Sequence, residues 1–284
     1  MLKLAYIWSL RNAAADRAGQ YIDYKGTQRY MMSPLEYLVG QLNKTALGET
    51  YSLVGVIHDD DELSIKDKEK LDGVGFRPVR KKPWLLPENL EVQGNKLADA
   101  LISIPSAYRR LPRYSPEHMA GKKVFEQTVE KKLMELGADV VILDGLLVIL
   151  DSLVRPGSPY YRKIFNIHPG ITRIESPYER RGAYATLDAL YGAGGKKVID
   201  WYTMETVAVP PLLKTGASFH YVDNGVDSGE VITDLLNTDI DPQDTIFELR
   251  WNNFHNSLFP TLSKGLEMIA KRSTSCRAYA ETVV

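Results

Sequence analysis

Three observations predict that this 284-residue chain folds as an α/β domain with a mostly parallel sheet flanked by helices. Short apolar runs at 4–8 and 138–143 have the length and composition of strands buried on both faces. Segments with apolar residues at helical spacing lie between such runs, and this alternation favours a parallel sheet. No repeat or Gly/Ser linker divides the sequence. We therefore predict one domain over 1–284, with a core at about 1–270 and a frayed tail at 273–284.

The first part of the chain gives a strand, an insertion, a helix and a second strand. After the strand at 4–8, the stretch 9–32 is polar and tyrosine-rich without apolar periodicity, which indicates an insertion. Ser33 and Glu36 then supply an N-cap and the third position of a capping box, with a proline at the first helical position. One face of this helix is apolar, at Leu35, Leu38, Val39 and Leu42. Residues 51–57 form the second predicted strand.

The middle of the chain combines a proline-rich insertion with a long helix. Six prolines in 60–120 leave room only for short elements, of which a strand at 98–104 is the best candidate. A helix follows, and Gly137 stands where a left-handed C-cap is expected. Its apolar face comprises Phe125, Val129, Leu133 and Leu136. Further strands are predicted at 138–143 and 163–167.

The last part of the chain adds two strands and a helix. Residues 217–222 and 231–233 are the predicted strands, joined by a loop rich in Asp and Gly, and 196–213 is a third insertion. The last helix is predicted to open at 241–244, and Pro260 is expected to kink or break it. Its shared face comprises Phe247, Trp251, Phe254 and Leu258.

Composition and charge exclude several classes of protein. The chain has 35 Lys+Arg and 36 Asp+Glu, so it lacks the positive surface that nucleic acids require as a partner. The basic cluster at 77–82 beside Trp84 is accordingly interpreted as a solvated loop. A lone Cys276 forms no internal disulfide and fits a reducing cytoplasm. No run approaches the roughly 20 apolar residues of a membrane span, because Asp144 interrupts the most apolar stretch, so no membrane contact is expected.

The residues best suited to chemistry lie at the end of the strand at 163–167. Asn166 and His168 are two positions apart, so on a strand both side chains point to the same side. The carboxyl end of a strand is also where ligands bind in open parallel sheets. An amide that stabilises an oxyanion beside a histidine that moves protons suits acyl transfer.

This motif and the residues after it resemble the folate-dependent formyltransferases. The family pattern is N-x-H-P, a downstream glycine, a strand of the type x-x-H-Y and a loop ending D-x-G. It is met here by Asn166, His168, Pro169, Gly182, His220, Tyr221, Asp227 and Gly229. The resemblance covers mainly residues 137–270. It implies a Rossmann-like formyltransferase fold with enlarged loops.

The resemblance also implies roles for particular residues. Asn166 would be the oxyanion donor, His168 the proton carrier and Asp227 the partner of His168. The formyl donor would be 10-formyltetrahydrofolate, and no metal would be needed. The residues expected to hold the folate are Leu147, Val148, Ile149 and Leu150 on one side of the pterin ring, and Asp223, Asn224 and Gly225 on the other.

Departures from the family pattern narrow the range of possible acceptors. The turn at 9–14 has no glycine with which to cradle a phosphate, which disfavours a phosphate-bearing acceptor. Too few residues follow the last helix for the second domain of the tRNA-formylating enzymes. Taken whole, including residues 4–12, the chain is most similar to the hydroxyornithine transformylases of pyoverdine siderophore synthesis. That similarity implies formylation of the side-chain hydroxylamine of N5-hydroxyornithine, with enzymes of the siderophore pathway as partners.

The insertions 9–32 and 196–213 are the expected sites of acceptor recognition. An amino acid presents two charges, and the candidates to bind them are Arg11, Asn12, Tyr21, Asp23 and Tyr24. His220 is expected to support the site, whereas His58, His118 and His255 carry no motif. Three alternatives stay open: an N-formyltransferase for a nucleotide-linked amino sugar, a non-catalytic folate-binding subunit, and a hydrolase of the formyl donor.

Overall fold

The computed structural model describes residues 1–72, 86–87 and 89–282, with side chains up to residue 272. The basic cluster at 77–82 with Trp84 lies outside the described residues. The strands are β1 (Leu2–Trp8), β2 (Tyr21–Tyr24), β3 (Thr27–Tyr30), β4 (Tyr51–His58), β5 (Glu91–Val92), β6 (Asn95–Lys96), β7 (Leu101–Ser103), β8 (Val140–Asp144), β9 (Ile164–His168), β10 (Lys196–Asp200), β11 (Glu205–Ala208), β12 (Lys214–Tyr221) and β13 (Val231–Asp239). The α-helices are α1 (Leu10–Ala15), α2 (Pro34–Lys44), α3 (Leu47–Thr50), α4 (Ile65–Asp72), α5 (Pro116–Leu136), α6 (Ala185–Ala193), α7 (Ile246–Asn253) and α8 (Phe259–Thr282).

A seven-stranded central sheet confirms the predicted α/β class. Its order is β13-β12-β9-β8-β1-β4-β7. β12 runs antiparallel to both of its neighbours, and every other adjacent pair is parallel. The chain passes from β1 to β4 and β7 on one side, and then returns to β8 and β9 on the other. The carboxyl ends of β1 and β8 therefore flank the point where the strand order reverses, which is the usual ligand crevice of such sheets.

Two apolar cores cover the faces of this sheet. Alternate residues of β1 divide between them, since Tyr6 and Trp8 belong to one core and Ile7 to the other. The first core contains the apolar faces of α2 and α8, and the second contains the apolar face of α5. The residue periodicity of strands and helices thus places helices on both faces of the sheet.

The predicted helix ends are confirmed in part. Ser33 caps α2 by accepting a hydrogen bond from the N–H of Glu36 at 3.0 Å. The Glu36 carboxylate accepts from the Tyr30 hydroxyl instead of returning to the cap, so only half of the capping box forms. Gly137 ends α5 in the left-handed conformation, at φ 63°. α7 begins later than predicted, because Thr245 and Glu248 form a complete capping box there.

Two segments differ from the expectation. The first insertion, 9–32, contains α1 and the hairpin of β2 and β3, although its apolar residues show no period. The strand predicted at 98–104 is wrong in its first half, where residues Leu97–Ala100 form a 3₁₀ turn that leads into the three-residue β7. Three-residue-per-turn helices of this kind are short and commonly serve as connectors, as here before β7.

The helical path also continues past Pro260, so the predicted break is wrong. A π-helical turn at Phe254–Leu258 joins α7 to α8, which begins one residue before the proline. Proline offers no N–H to the carbonyl four residues earlier, which belongs to Asn256. That carbonyl accepts a hydrogen bond from the side chain of Asn237 at 3.2 Å instead. Within the described residues, no helix is long and apolar enough to cross a membrane.

Candidate active site

Four side chains share one face of the sheet at the carboxyl end of β9. Asn166 and His168 lie on β9 and pair in register with His220 and Ser218 of β12. Because paired residues point to the same side of a sheet, the imidazole of His220 comes beside Asn166. Asp227 reaches the same place from the loop after β12. The structure thus brings together all three predicted catalytic residues.

The carboxylate of Asp227 is the centre of this cluster. Its Oδ1 accepts a hydrogen bond from Asn166 Nδ2 at 3.0 Å. Its Oδ2 lies 3.3 Å from His168 Nδ1 and accepts from the backbone N–H of Gly182 at 2.8 Å. His220 Nε2 completes the cluster, 3.3 Å from Asn166 Nδ2 and 3.6 Å from Asp227 Oδ1.

Two glycines allow the backbone to come close enough to hydrogen-bond the side chains of this cluster. Gly182 has φ +78°, a conformation that directs its N–H at Asp227 and that other residues adopt only with strain. Gly170 lies so close to the Arg180 carbonyl that a Cβ there would be 2.5 Å from its oxygen. The absence of that Cβ lets the Arg180 carbonyl lie 3.0 Å from His168 Nε2. Gly182 was selected by the motif, whereas Gly170 and the Arg180 carbonyl were not.

The charges in the cluster depend on one another. Burial lowers the pKa of His168, and the charge of Asp227 opposes this shift. Burial alone would raise the pKa of Asp227, but the imidazoles of His168 and His220 and the N–H of Gly182 hold it well below its usual value. The resting site is thus built around an ionised carboxylate next to a neutral His168.

The hydrogen bonds of His168 fix where a second proton can go. A backbone carbonyl only accepts, so the N–H of the neutral imidazole is at Nε2, directed at Arg180. Nδ1 then presents a lone pair to Asp227. A proton arriving at Nδ1 would form a charge-assisted hydrogen bond to that carboxylate. The geometry therefore suits a base that becomes a stabilised imidazolium.

The segment at 146–150, which contains residues predicted to hold the folate, is extended. Its backbone N–H and C=O groups are open, meaning that they have no hydrogen-bond partner among the described residues. Leu147 and Ile149 are 47% and 45% exposed, while Val148 and Leu150 are buried. In the described part of the chain, residues 146–150 make no backbone hydrogen bond to protein. Unused N–H and C=O groups along an extended segment fit a planar ring that carries its own donors and acceptors, such as a pterin.

The second predicted folate segment forms a self-supported turn. Asp223 Oδ1 accepts from the N–H of Gly225 at 3.0 Å and from the Ser228 hydroxyl at 2.7 Å. The Asp223 side chain thus shapes the loop, and Asn224 is exposed at its tip. Val222, just before the turn, packs on the same apolar cluster as Leu146. The two segments predicted to flank the pterin therefore emerge from a common base.

The residues predicted to bind the acceptor do not converge. Arg11 forms an ion pair with the fully buried Asp67, far from β9 in the sheet order. Tyr24 donates to the side chain of Asn252 at 2.7 Å, and Asp23 accepts from Gln28 across the hairpin. Tyr21 is 69% exposed and packs on Tyr30, and Asn12 contacts the backbone at Gly145. The contacts of Arg11, Asn12 and Tyr24 hold the first insertion against the rest of the domain, while those of Tyr21 and Asp23 stay within it.

A second polar cluster at the same edge was missed by sequence reasoning. Asp144 at the end of β8 accepts from the Tyr6 hydroxyl at 2.7 Å, and burial raises the pKa of Asp144 to about 7. Arg250 of α7 forms an ion pair with Asp16, next to this group. One sequence feature pointed here, since Asp144 is the single charge in the apolar run at 140–150.

The fold and the site together define an α/β enzyme equipped for acyl-group transfer. The chain belongs to the formyl transferase family, whose profile matches residues 35–260. This confirms the family predicted from the motif. Within the described residues, no group of three or more His, Cys, Asp or Glu side chains is placed to hold a metal ion.

Comparison with individual solved structures shows which members of the family this chain is similar to. A solved structure, "PvdF of pyoverdin biosynthesis is a structurally unique N10-formyltetrahydrofolate-dependent formyltransferase", is 64% identical with a TM-score of 0.88, covering 95% of this chain and 98% of that one. Glycinamide ribonucleotide transformylase 1 from Geobacillus kaustophilus is 20% identical with a TM-score of 0.51, covering 95% and 99%, and shows the shared fold.

A curated relative matches a shorter region. The phosphoribosylglycinamide formyltransferase of Bacillus subtilis (strain 168) is 27% identical over 158 residues. The match covers 54% of this chain and 66% of that protein, so the chain spans about two thirds of the length of this relative.

Proposed function

We propose that this protein transfers the formyl group of 10-formyltetrahydrofolate to the side-chain hydroxylamine of N5-hydroxyornithine. The observation that carries the proposal is the cluster of Asn166, His168 and Asp227 at the carboxyl edge of the sheet. Support for the donor comes from the 64% identity to PvdF, which is described as N10-formyltetrahydrofolate-dependent. The open backbone at 146–150 supports a pterin on that side of the site.

Asn166 is the proposed oxyanion donor. One of its amide hydrogens is directed at Asp227, at an N–O distance of 3.0 Å, and the other lies near His220 Nε2 at 3.3 Å. The contact with His220 is the longer one, so we infer that the formyl oxygen approaches this hydrogen and takes over its hydrogen bond as negative charge develops there. Asp227 keeps the amide in place during the exchange. Such a preorganised donor is typically worth about 10² to 10³ in rate.

His168 and Asp227 are the proposed proton carriers. The acceptor nitrogen forms a bond to the formyl carbon, and the bond from that carbon to the folate nitrogen then breaks. One proton leaves the attacking nitrogen and one reaches the folate nitrogen, so the enzyme ends unchanged. The side chains of His168 and Asp227 are 7% and 14% exposed. We therefore infer that the proton passes along the edge of Asp227 and is held at His168 Nδ1 between the two events.

A hydroxylamine acceptor suits this site because its nitrogen is far less basic than an alkyl amine. It is mostly neutral at pH 7 and attacks without prior loss of a proton. We further infer that the protein works in the cytoplasm beside other enzymes of siderophore synthesis, which the PvdF relative supports. The small acceptor is also consistent with the burial of His168, which is 5% exposed.

A spectrophotometric assay of donor consumption tests the proposal. Purified protein is given 10-formyltetrahydrofolate with N5-hydroxyornithine, ornithine, a nucleotide-linked amino sugar, or no acceptor, and the products are weighed by mass spectrometry. We expect consumption with hydroxyornithine and a product heavier by one formyl group. The Asn166→Ala variant serves as the control for catalysed transfer.

Each other outcome selects a different function. Consumption without an acceptor would indicate hydrolysis of the donor. Turnover of the amino sugar alone would assign the nucleotide-linked class. Folate binding without turnover in every reaction would contradict the proposal and favour a non-catalytic subunit.

A further inference from the structure

The missed polar cluster lies at the crevice where the strand order reverses. Trp8 and Asp144 are register partners at the ends of β1 and β8, so their side chains lie on the same face. Asn166 pairs with Leu143, one residue earlier, and therefore lies on the opposite face. The members of the cluster are Tyr6, Trp8, Asp16, Asp144 and Arg250.

Two buried donors of this cluster have no partner among the described residues. They are Nε1 of Trp8, whose residue is 2% exposed, and Nε of Arg250. Arg250 uses Nη1 for its ion pair with Asp16, so its Nε is a separate donor. A buried N–H without an acceptor is costly, and natural proteins rarely keep one without a use. Both donors suit an anionic oxygen.

We propose that this cluster binds the charged head of an α-amino acid acceptor. Arg250 and the Trp8 N–H take the α-carboxylate, and Asp144, held by the Tyr6 hydroxyl, takes the α-ammonium. The inference rests on the proposed function and adds to it the residues that select an amino acid. It differs from the residues predicted in the first insertion, among which Arg11 is engaged with Asp67.

The strand register places this cluster one strand away from the strand that carries Asn166 and His168. Asp144 pairs in register with Ile167, which lies between Asn166 and His168. Neighbouring strands are about 4.8 Å apart. In hydroxyornithine four bonds of about 1.5 Å each, bent at every carbon, separate the α-carbon from N5, a span of about 5 Å. Because Asp144 and the catalytic residues lie on opposite faces of the sheet, the side chain of a head bound at Asp144 has to pass over the carboxyl ends of the strands to bring its nitrogen to β9.

The helix that carries Arg250 is fixed to the catalytic strand. Asn253, one turn further along α7, donates to the carbonyl of Pro169 at 3.2 Å, directly after His168. The positive charge of Arg250 opposes the burial that raises the pKa of Asp144, and it makes the smallest contribution to lowering the pKa of His168.

Matched acceptors and variants test the assignment. The acceptors are N5-hydroxyornithine, N-hydroxy-1,4-diaminobutane, which lacks the carboxylate, and 5-(hydroxyamino)pentanoate, which lacks the α-ammonium. For the wild type we expect kcat/KM to fall about 10 to 100 fold when either charge is removed, as for charge-assisted hydrogen bonds. The Arg250→Gln variant should lose its preference for hydroxyornithine over the diaminobutane. The Asp144→Asn variant should lose its preference over the pentanoate.

The possible outcomes distinguish a role of these residues in acceptor recognition from a purely structural role. If Arg250→Gln slows both acceptors equally, the arginine is only a structural anchor through Asp16, and its assignment is wrong. If that variant does not fold, Asp144→Asn with the pentanoate decides the matter independently. Equal use of all three acceptors by the wild type would overturn the inference and leave formyl transfer to a hydroxylamine standing. No turnover of any of them would overturn the proposed function as well.

Discussion

Among the polar clusters at the carboxyl edge of the sheet, the one at the end of β4 and the one at the end of β9 differ in how far their charged groups are enclosed. At the end of β4, Asp60 accepts from the backbone N–H groups of Leu10 and Arg11, and Asp67 lies between Arg11 and Arg109. At the end of β9, Asp227 is held by the Gly182 N–H and His168, and its side chain is 14% exposed, whereas that of Asp67 is fully buried. Charged residues near strand ends serve chemistry only when one side is left for a ligand.

The difference has a physical reason. A buried ion is stable only when its neighbours neutralise it and satisfy its hydrogen bonds. Asp67 is fully buried and achieves this with two arginines and the N–H of Asp61. The result is a closed network that fixes α1, α4 and the segment after β7 to the end of β4. The same N–H groups at the start of α1 that could hold an anionic ligand are occupied by the carboxylate of Asp60.

Loss of the imidazole in the open cluster should have the largest effect. We expect His168→Ala to lower kcat by about 10² to 10⁴ fold, the usual contribution of a positioned acid or base. Far-ultraviolet circular dichroism should stay like that of the wild type. His118→Ala is the matched control, because that histidine lies on α5 and contacts Tyr108. A rate within a few fold of the wild type would exclude His168 as the proton carrier.

Loss of the carboxylate in the closed cluster should instead affect stability. We expect Asp67→Asn to lower the free energy of unfolding by about 3 to 5 kcal/mol, because it removes the carboxylate that pairs with the largely buried Arg11 and leaves Arg109 with only Asp59, at 3.7 Å. Urea denaturation measures the change, and Asp72→Asn on the same helix, an exposed position, is the control. The kcat of the folded fraction should be unchanged. A large fall in kcat with normal stability would mean that the closed cluster takes part in the reaction.

Sequence reasoning succeeded where partners are close along the chain. The strands and α5 follow from local periodicity, and Asn166 and His168 share a face because they are two residues apart. It failed for Arg11, since nothing near that residue shows that its charge is paired with Asp67, 56 residues away. Asp144 was visible as a charge in an apolar run, but its partners Tyr6 and Arg250 come from distant elements. Patterns identify residue types at strand ends, while the pairing of charges is decided by packing.

Removal of the Asn166 amide should reduce turnover without affecting the closed cluster. We expect Asn166→Ala to lower kcat by about 10² to 10³ fold, the typical cost of one oxyanion donor. Steady-state kinetics at saturating donor measure it, and the exposed Asn95→Ala in the hairpin of β5 and β6 is the control. If the acceptor KM changes while kcat is retained, the amide positions the acceptor and does not stabilise the oxyanion.

The pH dependence of the free energy of unfolding should also reveal the closed cluster. The effect should be smaller than those of the substitutions described above. Burial alone would raise the pKa of Asp67, but hydrogen bonds from Arg109 and the Asp61 N–H and the charge of Arg11 hold it below its usual value. A carboxyl with a lowered folded pKa stabilises the protein above its unfolded pKa of about 3.9, and this contribution is lost as pH falls through the lower, folded value.

The neighbouring Asp59 acts in the opposite direction. Burial and the charge of Asp60 raise its pKa to about 6, so its ionisation costs stability at neutral pH, and that cost disappears as pH falls from about 6 toward 4. Measured by urea denaturation, the contribution of Asp59 to the free energy of unfolding should therefore rise between pH 7 and 5, and that of Asp67 should fall below pH 4, by about 1.4 kcal/mol for each unit of pKa difference. Asp67→Asn should keep the rise and show a shallower fall. An equally steep fall would mean that the low-pH loss comes from carboxylates such as Asp227, and that the open cluster, not the closed one, limits stability in acid.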